Sequence, residues 1–312
     1  MIVYTETATL ERDLGIPAKT LFAVSHDLKR HYRRVELPKA DGSVRALSVP
    51  DAVLKKIQRS ISANLLAYMP VSPWATAYRP GGGVRRNALP HCGQEQLLKL
   101  DIRRFFDSVR YTQVKETVFP AAIYAEKLRV LLSILCYYKE GLPQGAPTSP
   151  AIANILLRRF DETVGGWCGA HGVAYTRYCD DLAFSGSFDP QALTALVREA
   201  LRREGFSLNG QKTRLAGPGR RQLVTGAVVN LRPRAPAGDR RALRQELYYC
   251  QKFGVRSHLE RTRDPRPPQA YLAALLGRLD FALSLSPEPQ LAQGRRWVLD
   301  RLRQERAPSL KP

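Results

Sequence analysis

Acidic residues are scarce in this 312-residue chain: 28 Asp+Glu stand against 49 Lys+Arg, a net charge of +21. Cysteine is sparse too. The five thiols (Cys92, Cys136, Cys168, Cys179, Cys250) are an odd number, widely spaced, with no C-x-x-C pair. That pattern argues against a disulfide framework and against a zinc site. No apolar run approaches the ~20 residues that a membrane helix needs. Met1-Ile2-Val3-Tyr4-Thr5-Glu6 lacks a basic segment followed by an apolar one, so no secretory signal and no membrane partner are expected. A reduced, cytoplasmic protein fits these absences. Hydrophobic content of 44% and charged content of 25% are ordinary for a globular chain. The positive excess therefore sits on a folded body, and the commonest surface that compensates it is nucleic acid. Of the basic residues 37 are Arg, whose fork suits phosphate, although GC-rich coding yields the same excess.

Local signals divide the chain. Leu10, Leu14, Leu21 and Val24 suggest helix on either side of Pro17. Tyr32–Leu37 and Val44–Val49 read as strands around an Asp41-Gly42 turn. Pro50-Asp51 opens a helix with Leu54, Ile57, Ile61, Leu65 and Tyr68 on one face, ending near Pro70. Residues 71–93 read as loop, and Gln96–Ile102 as a strand running into Asp101. Ser149-Pro150 predicts a helix start with Ser149 as N-cap. Val173–Ser185 reads as a hairpin with Asp180 and Asp181 at its turn. Asp189-Pro190 caps a helix that stops at Gly205. Residues 231–238 read as a linker, followed by a basic helical region. Residues 231–312 carry 17 Lys+Arg against 8 Asp+Glu.

Tyr178-Cys179-Asp180-Asp181 lies between two β-like stretches. Successive strand residues point to opposite faces, so only a tight turn lets both carboxylates approach one site. Two carboxylates ~4 Å apart repel by about 4 kcal/mol at an effective dielectric near 20, and a divalent cation relieves that. Asp101 supplies a third hard oxygen ligand, and the set suits Mg²⁺, with two such ions able to serve phosphoryl chemistry. An Asp-Asp pair by itself is more often just an acidic turn. The flanking motifs overturn that explanation.

Tyr-x-Asp-Asp in a hairpin, an upstream Asp101-Ile102-x-x-Phe105-Phe106, and Leu142-Pro143-Gln144-Gly145-Ala146-Pro147-Thr148-Ser149-Pro150 stand in one order, with 79 residues from Asp101 to Asp180. Together they resemble the palm of a reverse transcriptase, a likeness running from about Tyr32 through Asn230. Asn87-Ala88-Leu89-Pro90-His91 and Val224-Thr225-Gly226 match two further motifs associated with retron reverse transcriptases. The resemblance implies an α+β right-hand polymerase: N-terminal helices and fingers over 1–100, a palm of antiparallel sheet and helices over 101–230 with a fingers segment inserted at about 110–140, and a helical thumb over 231–312. At 312 residues, neither the additional domains of a group II intron protein nor a ribonuclease H-like domain is expected here.

The resemblance also implies roles. Asp101, Asp180 and Asp181 would be catalytic and hold two Mg²⁺. Phe106 would sit under the incoming sugar and exclude a 2′-hydroxyl. Gln144 would contact template and nucleotide, and Gly145 and Ala146 would keep that surface low. Lys39 and Arg45 would hold the triphosphate, and Lys212 would protonate the leaving pyrophosphate. Asn87, His91, Val224, Thr225 and Gly226 would serve RNA recognition with the thumb. The implied function is DNA synthesis from deoxynucleoside triphosphates on a cognate structured non-coding RNA. Priming from a 2′-hydroxyl of that RNA would give branched RNA–DNA (msDNA), in anti-phage defence with an accessory effector protein. Two other readings stay open: a reverse transcriptase of another bacterial group, diversity-generating or CRISPR-associated, and a catalytically idle RNA-binding scaffold that regulates an effector.

Overall fold

Pro17 breaks the first helical stretch in the computed structural model, which describes residues 3–38, 42 and 44–306. Helices span Thr7–Leu14 and Ala18–His26 on either side of it, because proline lacks the N–H that a continuing helix would use. Strands β1 (Tyr32–Pro38) and β2 (Val44–Pro50) pair antiparallel with Val35 opposite Leu47. Asp51 then caps the Ala52–Asn64 helix, its side chain accepting the Leu54 N–H at 2.8 Å. That helix buries Leu54, Ile57 and Ile61, the face expected from their spacing, but it ends at Asn64 rather than near Pro70, and Tyr68, in the 3₁₀ turn Leu66–Tyr68 that follows, is exposed.

The main sheet contains β3 (Gln96–Asp101), β4 (Ala174–Tyr178), β5 (Asp181–Gly186) and β6 (Arg214–Ala216), in the order β4-β5-β3-β6. Leu97, Leu98 and Leu100 of β3 are all buried, with Lys99 half-buried between them, as the apolar positions of a covered strand should be. One core joins Leu98 and Leu100 to Phe160, Val164, Leu182, Phe184, Leu193 and Val197. The last two come from the Pro190–Arg203 helix, which Asp189 caps by accepting the Gln191 N–H at 2.8 Å. Gly205 ends that helix at φ +82°, and Phe206 N–H returns to the Leu201 carbonyl at 2.9 Å. The α+β architecture is as expected.

Three further expectations need correction. Thr148, not Ser149, precedes the Ser149–Leu156 helix. The Ser149 hydroxyl instead donates to the buried Pro143 carbonyl at 2.8 Å, an acceptor that its own loop supplies. The 71–93 stretch is not all loop, since Val84–Ala88 is helical and Leu89–His91 forms a 3₁₀ turn. Elements of one turn are too short to show a period. The 231–238 segment is no free linker: Val228 and Arg234 exchange backbone hydrogen bonds at 2.8 and 3.1 Å, and Ala235 is buried. Proline and glycine there mark a fixed turn rather than a mobile one.

The chain forms two compact units, Met1–Gly82 with Leu98–Leu215, and Gly83–Leu97 with Ala216–Pro312. This division cuts across the three segments expected from the sequence. The second unit holds the hairpin of β7 (Leu223–Val224) and β8 (Ala227–Val228) and the helices Ala237–Phe253, Val255–Thr262, Pro268–Leu285 and Pro289–Arg306. Segment 83–97 joins it through bonds such as Gly93 N–H to the Val229 carbonyl at 3.0 Å. No helix among the described residues is long and apolar enough to cross a membrane.

Candidate active site

The hairpin of β4 and β5 closes in two residues, Cys179 and Asp180, with Tyr178 opposite Asp181. Asp181 is therefore the first residue of β5 and Asp180 lies in the turn itself. Cys179 has φ +61°, a conformation that costs a Cβ-bearing residue on the order of 1 kcal/mol. Next to this turn, Asp101 ends β3, and the Ile102 N–H donates to the Asp180 carbonyl at 3.0 Å. On its other side the Asp101 carbonyl accepts the Asn209 N–H at 2.8 Å. Adjacent strands thus bring three aspartates that are distant in sequence to one end of the sheet.

Their electrostatics reflect that gathering. The Asp180 carboxyl is pushed above its ordinary value, chiefly by burial, with the charges of Asp181 and Asp101 adding to the effect. Asp181 is raised chiefly by burial as well; Lys99 and Lys212 oppose the shift and Asp101 reinforces it. Burial also pushes the neighbouring Cys179 thiol up to about 12. Lys212 Nζ donates to Asp101 Oδ1 at 2.7 Å, and Asn209 Nδ2 reaches Asp101 Oδ2 at 3.3 Å. The Lys212 ammonium is raised, first by that bond to Asp101.

Among the described residues no three acidic, histidine or cysteine side chains converge tightly enough to hold a metal ion. Asp101 is engaged by Lys212 instead. The donor chemistry nevertheless fits a hard divalent cation: all three groups are carboxylates, and the repulsion that adds to the effect of burial on two of them is what a cation relieves.

A cavity of about 510 Å³ is lined by Arg45, Tyr78, Phe106, Gln144, Gly145 and Ala146, among others, and the Tyr78 ring lies 6.4 Å from that of Tyr178, at the edge of the aspartate-bearing turn. It therefore collects Arg45 from β2, Phe106 from the turn after β3 and Gln144 from the Pro-rich loop. Gly141 lets that loop approach: a Cβ there would lie 2.7 Å from the Phe106 carbonyl oxygen. The Leu142 N–H then donates to that oxygen at 2.8 Å. Gly145 has φ +133°, and its Cβ would stand 3.0 Å from the Ser48 carbonyl oxygen. Lys39 lies outside the described residues. Sequence reasoning missed Tyr78, Lys55 and Arg59, which also line the cavity. Lys55 and Arg59 are four apart on the Ala52–Asn64 helix, a polar-face pair that the pattern could have offered.

In the second unit the two remaining motifs meet. Asn87 Nδ2 donates to Thr225 Oγ1. Thr225 and Gly226 form the two-residue turn between β7 and β8, with φ +48° and +81°, the signs a type I′ turn requires. Asn87, His91 and Val224 are buried, and burial lowers the His91 imidazole to about 4, so it is neutral. These three side chains are framework; Thr225 is half-buried and Gly226 exposed.

A family model described as reverse transcriptase (RNA-dependent DNA polymerase) matches residues 37–227. A retron reverse transcriptase of Myxococcus xanthus is 36% identical over 281 residues, 83% of this chain and 62% of that protein. A second from the same organism is 31% identical over 334 residues, 90% of this chain and 68% of that one. One from Escherichia coli is 30% identical over 219 residues, 70% of this chain and 68% of that protein. The chain spans 62% of the first relative's length and 68% of the other two. On this similarity, the chain belongs to the reverse transcriptase family and is of the retron type.

Proposed function

We propose that this protein is an RNA-directed DNA polymerase that copies a cognate structured non-coding RNA in the cytoplasm. The observation that carries the reading is the meeting of Asp101, Asp180 and Asp181 at one sheet end, beside a cavity lined by Arg45, Phe106 and Gln144. Priming from a 2′-hydroxyl of that RNA would leave a branched RNA–DNA product. An accessory effector protein would couple the product to anti-phage defence. The retron relatives support this extension.

In the reaction the primer hydroxyl loses its proton to water and forms a bond to the α-phosphorus of a deoxynucleoside triphosphate, while the P–O bond between the α- and β-phosphates breaks and pyrophosphate leaves. Asp101, Asp180 and Asp181 would hold two Mg²⁺, which supply charge stabilisation to the attacking and leaving oxygens. Arg45 offers a planar fork to the triphosphate, and Lys39 is proposed to assist it. The Phe106 ring closes the floor under the sugar, where a 2′-hydroxyl would collide with it. Gln144 orients the nascent pair over the low surface of Gly145 and Ala146. The Lys212 ammonium, raised first by its bond to Asp101, would give a proton to the leaving pyrophosphate oxygen. In the second unit, Thr225, Gly226 and the Arg-rich 240–263 stretch would face the RNA. Asn87, His91 and Val224 would hold them in place.

The test is primer extension on an RNA template with deoxynucleotides and Mg²⁺, alongside sequencing of nucleic acid purified with the protein from cells. Extension lost in both Asp180→Asn and Asp181→Asn, together with a branched RNA–DNA product, is expected. Undiminished extension by both variants would sink the assignment, and unbranched DNA alone would sink the 2′-hydroxyl priming.

A further inference from the structure

Beneath the aspartate-bearing turn lies an ion pair that polymerisation chemistry does not itself require. Arg177 in β4 and Asp161 in the Arg158–Ala170 helix are both 0% exposed and pair at 2.7 Å. Desolvating two charges is costly, and a well-packed apolar pair of the same volume commonly serves stability as well or better. Packing alone does not call for this one.

The guanidinium is divided between two tasks. Its Nε and Nη2 grip the Asp161 carboxylate at 2.9 and 2.7 Å. Its Nη1 donates to Asn154 Oδ1 at 3.0 Å and to the backbone carbonyl of Cys179 at 3.1 Å. Cys179 is the turn residue held at φ +61°, and Asp180 follows it. Every member of the network is itself anchored. The Tyr175 hydroxyl donates to Asp161 Oδ1 at 2.7 Å, and Asn154 Nδ2 donates to the Ala77 carbonyl at 2.9 Å. The Arg177 main chain is tied on both sides: its N–H donates to the Trp74 carbonyl at 2.8 Å, and its carbonyl accepts the Thr76 N–H at 2.8 Å.

We propose that Arg177, braced by Asp161 and Asn154, is a positioning residue whose bond to the Cys179 carbonyl holds the strained turn so that Asp180 stands beside Asp101. A backbone held in a sparsely populated conformation persists only when its surroundings over-determine it. Released from Arg177, Cys179 relaxes toward negative φ, the peptide between Cys179 and Asp180 rotates, and the Asp180 carboxylate moves away. Lysine cannot replace the fork, because one ammonium does not reach Asp161, Asn154 and the Cys179 carbonyl together. The inference rests on the proposed polymerase site for its consequence, but not for its test.

Cys179 is itself the reporter. It is buried, as are Cys136 and Cys168 of the same unit. Arg177→Lys and the paired Arg177→Met with Asp161→Asn are compared with the wild-type full chain by alkylation with a small maleimide and site mapping by mass spectrometry. Loosening of the turn alone makes Cys179 react on the order of tenfold faster, with Cys136 and Cys168 still protected. In the same variants kcat for nucleotide incorporation falls on the order of 100-fold, as ~1 Å of misplacement implies, and KM for the nucleotide is little changed. The proposal is overturned if Cys179 stays as protected as in the wild type, or if all three thiols become reactive together. Failure of both variants to fold would likewise make Arg177 a folding determinant and not a clamp. A wild-type protein without polymerase activity would refute the proposed function and leave the thiol result standing.

Discussion

Lys212 donates to Asp101 at 2.7 Å, with the lysine side chain 59% exposed and the aspartate 7% exposed. The ammonium therefore occupies a carboxylate that a cation would need, and the two compete. Lys212→Met should lower the Mg²⁺ concentration at half-maximal extension while reducing the maximal rate about 100-fold, the scale of a lost general acid. Single-turnover incorporation across a Mg²⁺ titration separates the effects. An unchanged Mg²⁺ midpoint would show that the pair does not guard the site.

Asp180 and Asp181 are raised in the folded chain, by burial first. Between the unfolded and folded values the native state holds the extra proton, so stability falls as pH rises through that window and the cost persists at neutral pH. Asp180→Asn and Asp181→Asn should therefore raise Tm by a few degrees at pH 7 in chelator while abolishing extension. The gain should vanish below the ordinary aspartate value of about 3.9. Thermal unfolding at both pH values checks this, and a lower Tm at pH 7 would contradict it.

Phe106 is half-buried against the core and lines the cavity proposed to take the nucleotide. Phe106→Ala should open room for a 2′-hydroxyl and cut discrimination against ribonucleotides by roughly 10–200-fold, the scale of a small steric change in a pocket. Competing incorporation of deoxy- and ribonucleotides measures it. Discrimination that survives the substitution would assign selectivity to another residue.

Gly145 has no room for a side chain: a Cβ there meets the Ser48 carbonyl oxygen at 3.0 Å, and φ is +133°. Gly145→Ala should destabilise the first unit by about 1–3 kcal/mol and raise KM for the incoming nucleotide, since Ala146 and Gln144 share the displaced loop. Denaturant titration and steady-state kinetics report the two effects independently.

Asn87 and Thr225 stand 138 positions apart and meet through a side-chain hydrogen bond. Asn87→Ala leaves the half-buried Thr225 hydroxyl without that donor and should cost the second unit about 1–3 kcal/mol. Affinity for the cognate RNA should fall more than affinity for an unrelated duplex of equal length. Equal losses for both would assign this corner to general backbone binding.

Much of the local architecture is legible without coordinates because each signal is chemically self-contained. Asp51 and Asp189 cap helices because a short carboxylate reaches the first-turn N–H groups. Gly205 ends one because it tolerates positive φ. Misreadings arose where a residue's partner was not its neighbour. Ser149 is drawn from its expected cap by the Pro143 carbonyl, and the Pro- and Gly-rich 231–238 segment is fixed by the pairing of Val228 with Arg234. The inventory of the active site was equally legible, since Asp101, Phe106, Gln144, Asp180 and Asp181 lie in contiguous motifs.

Residue order alone thus established the chemistry present in the chain: three of the scarce acids placed in two motifs, a basic helical C-terminal region, and turn residues where turns occur. Tertiary structure decided how those residues are used. It seated Lys212 on Asp101 across 111 positions and buried Arg177 under the Cys179–Asp180 turn. It also buried Asn87 and His91 as framework. The reason is physical: caps and turns depend on torsions within a few residues, whereas burial, desolvation and ion pairing depend on which distant segments close upon one another.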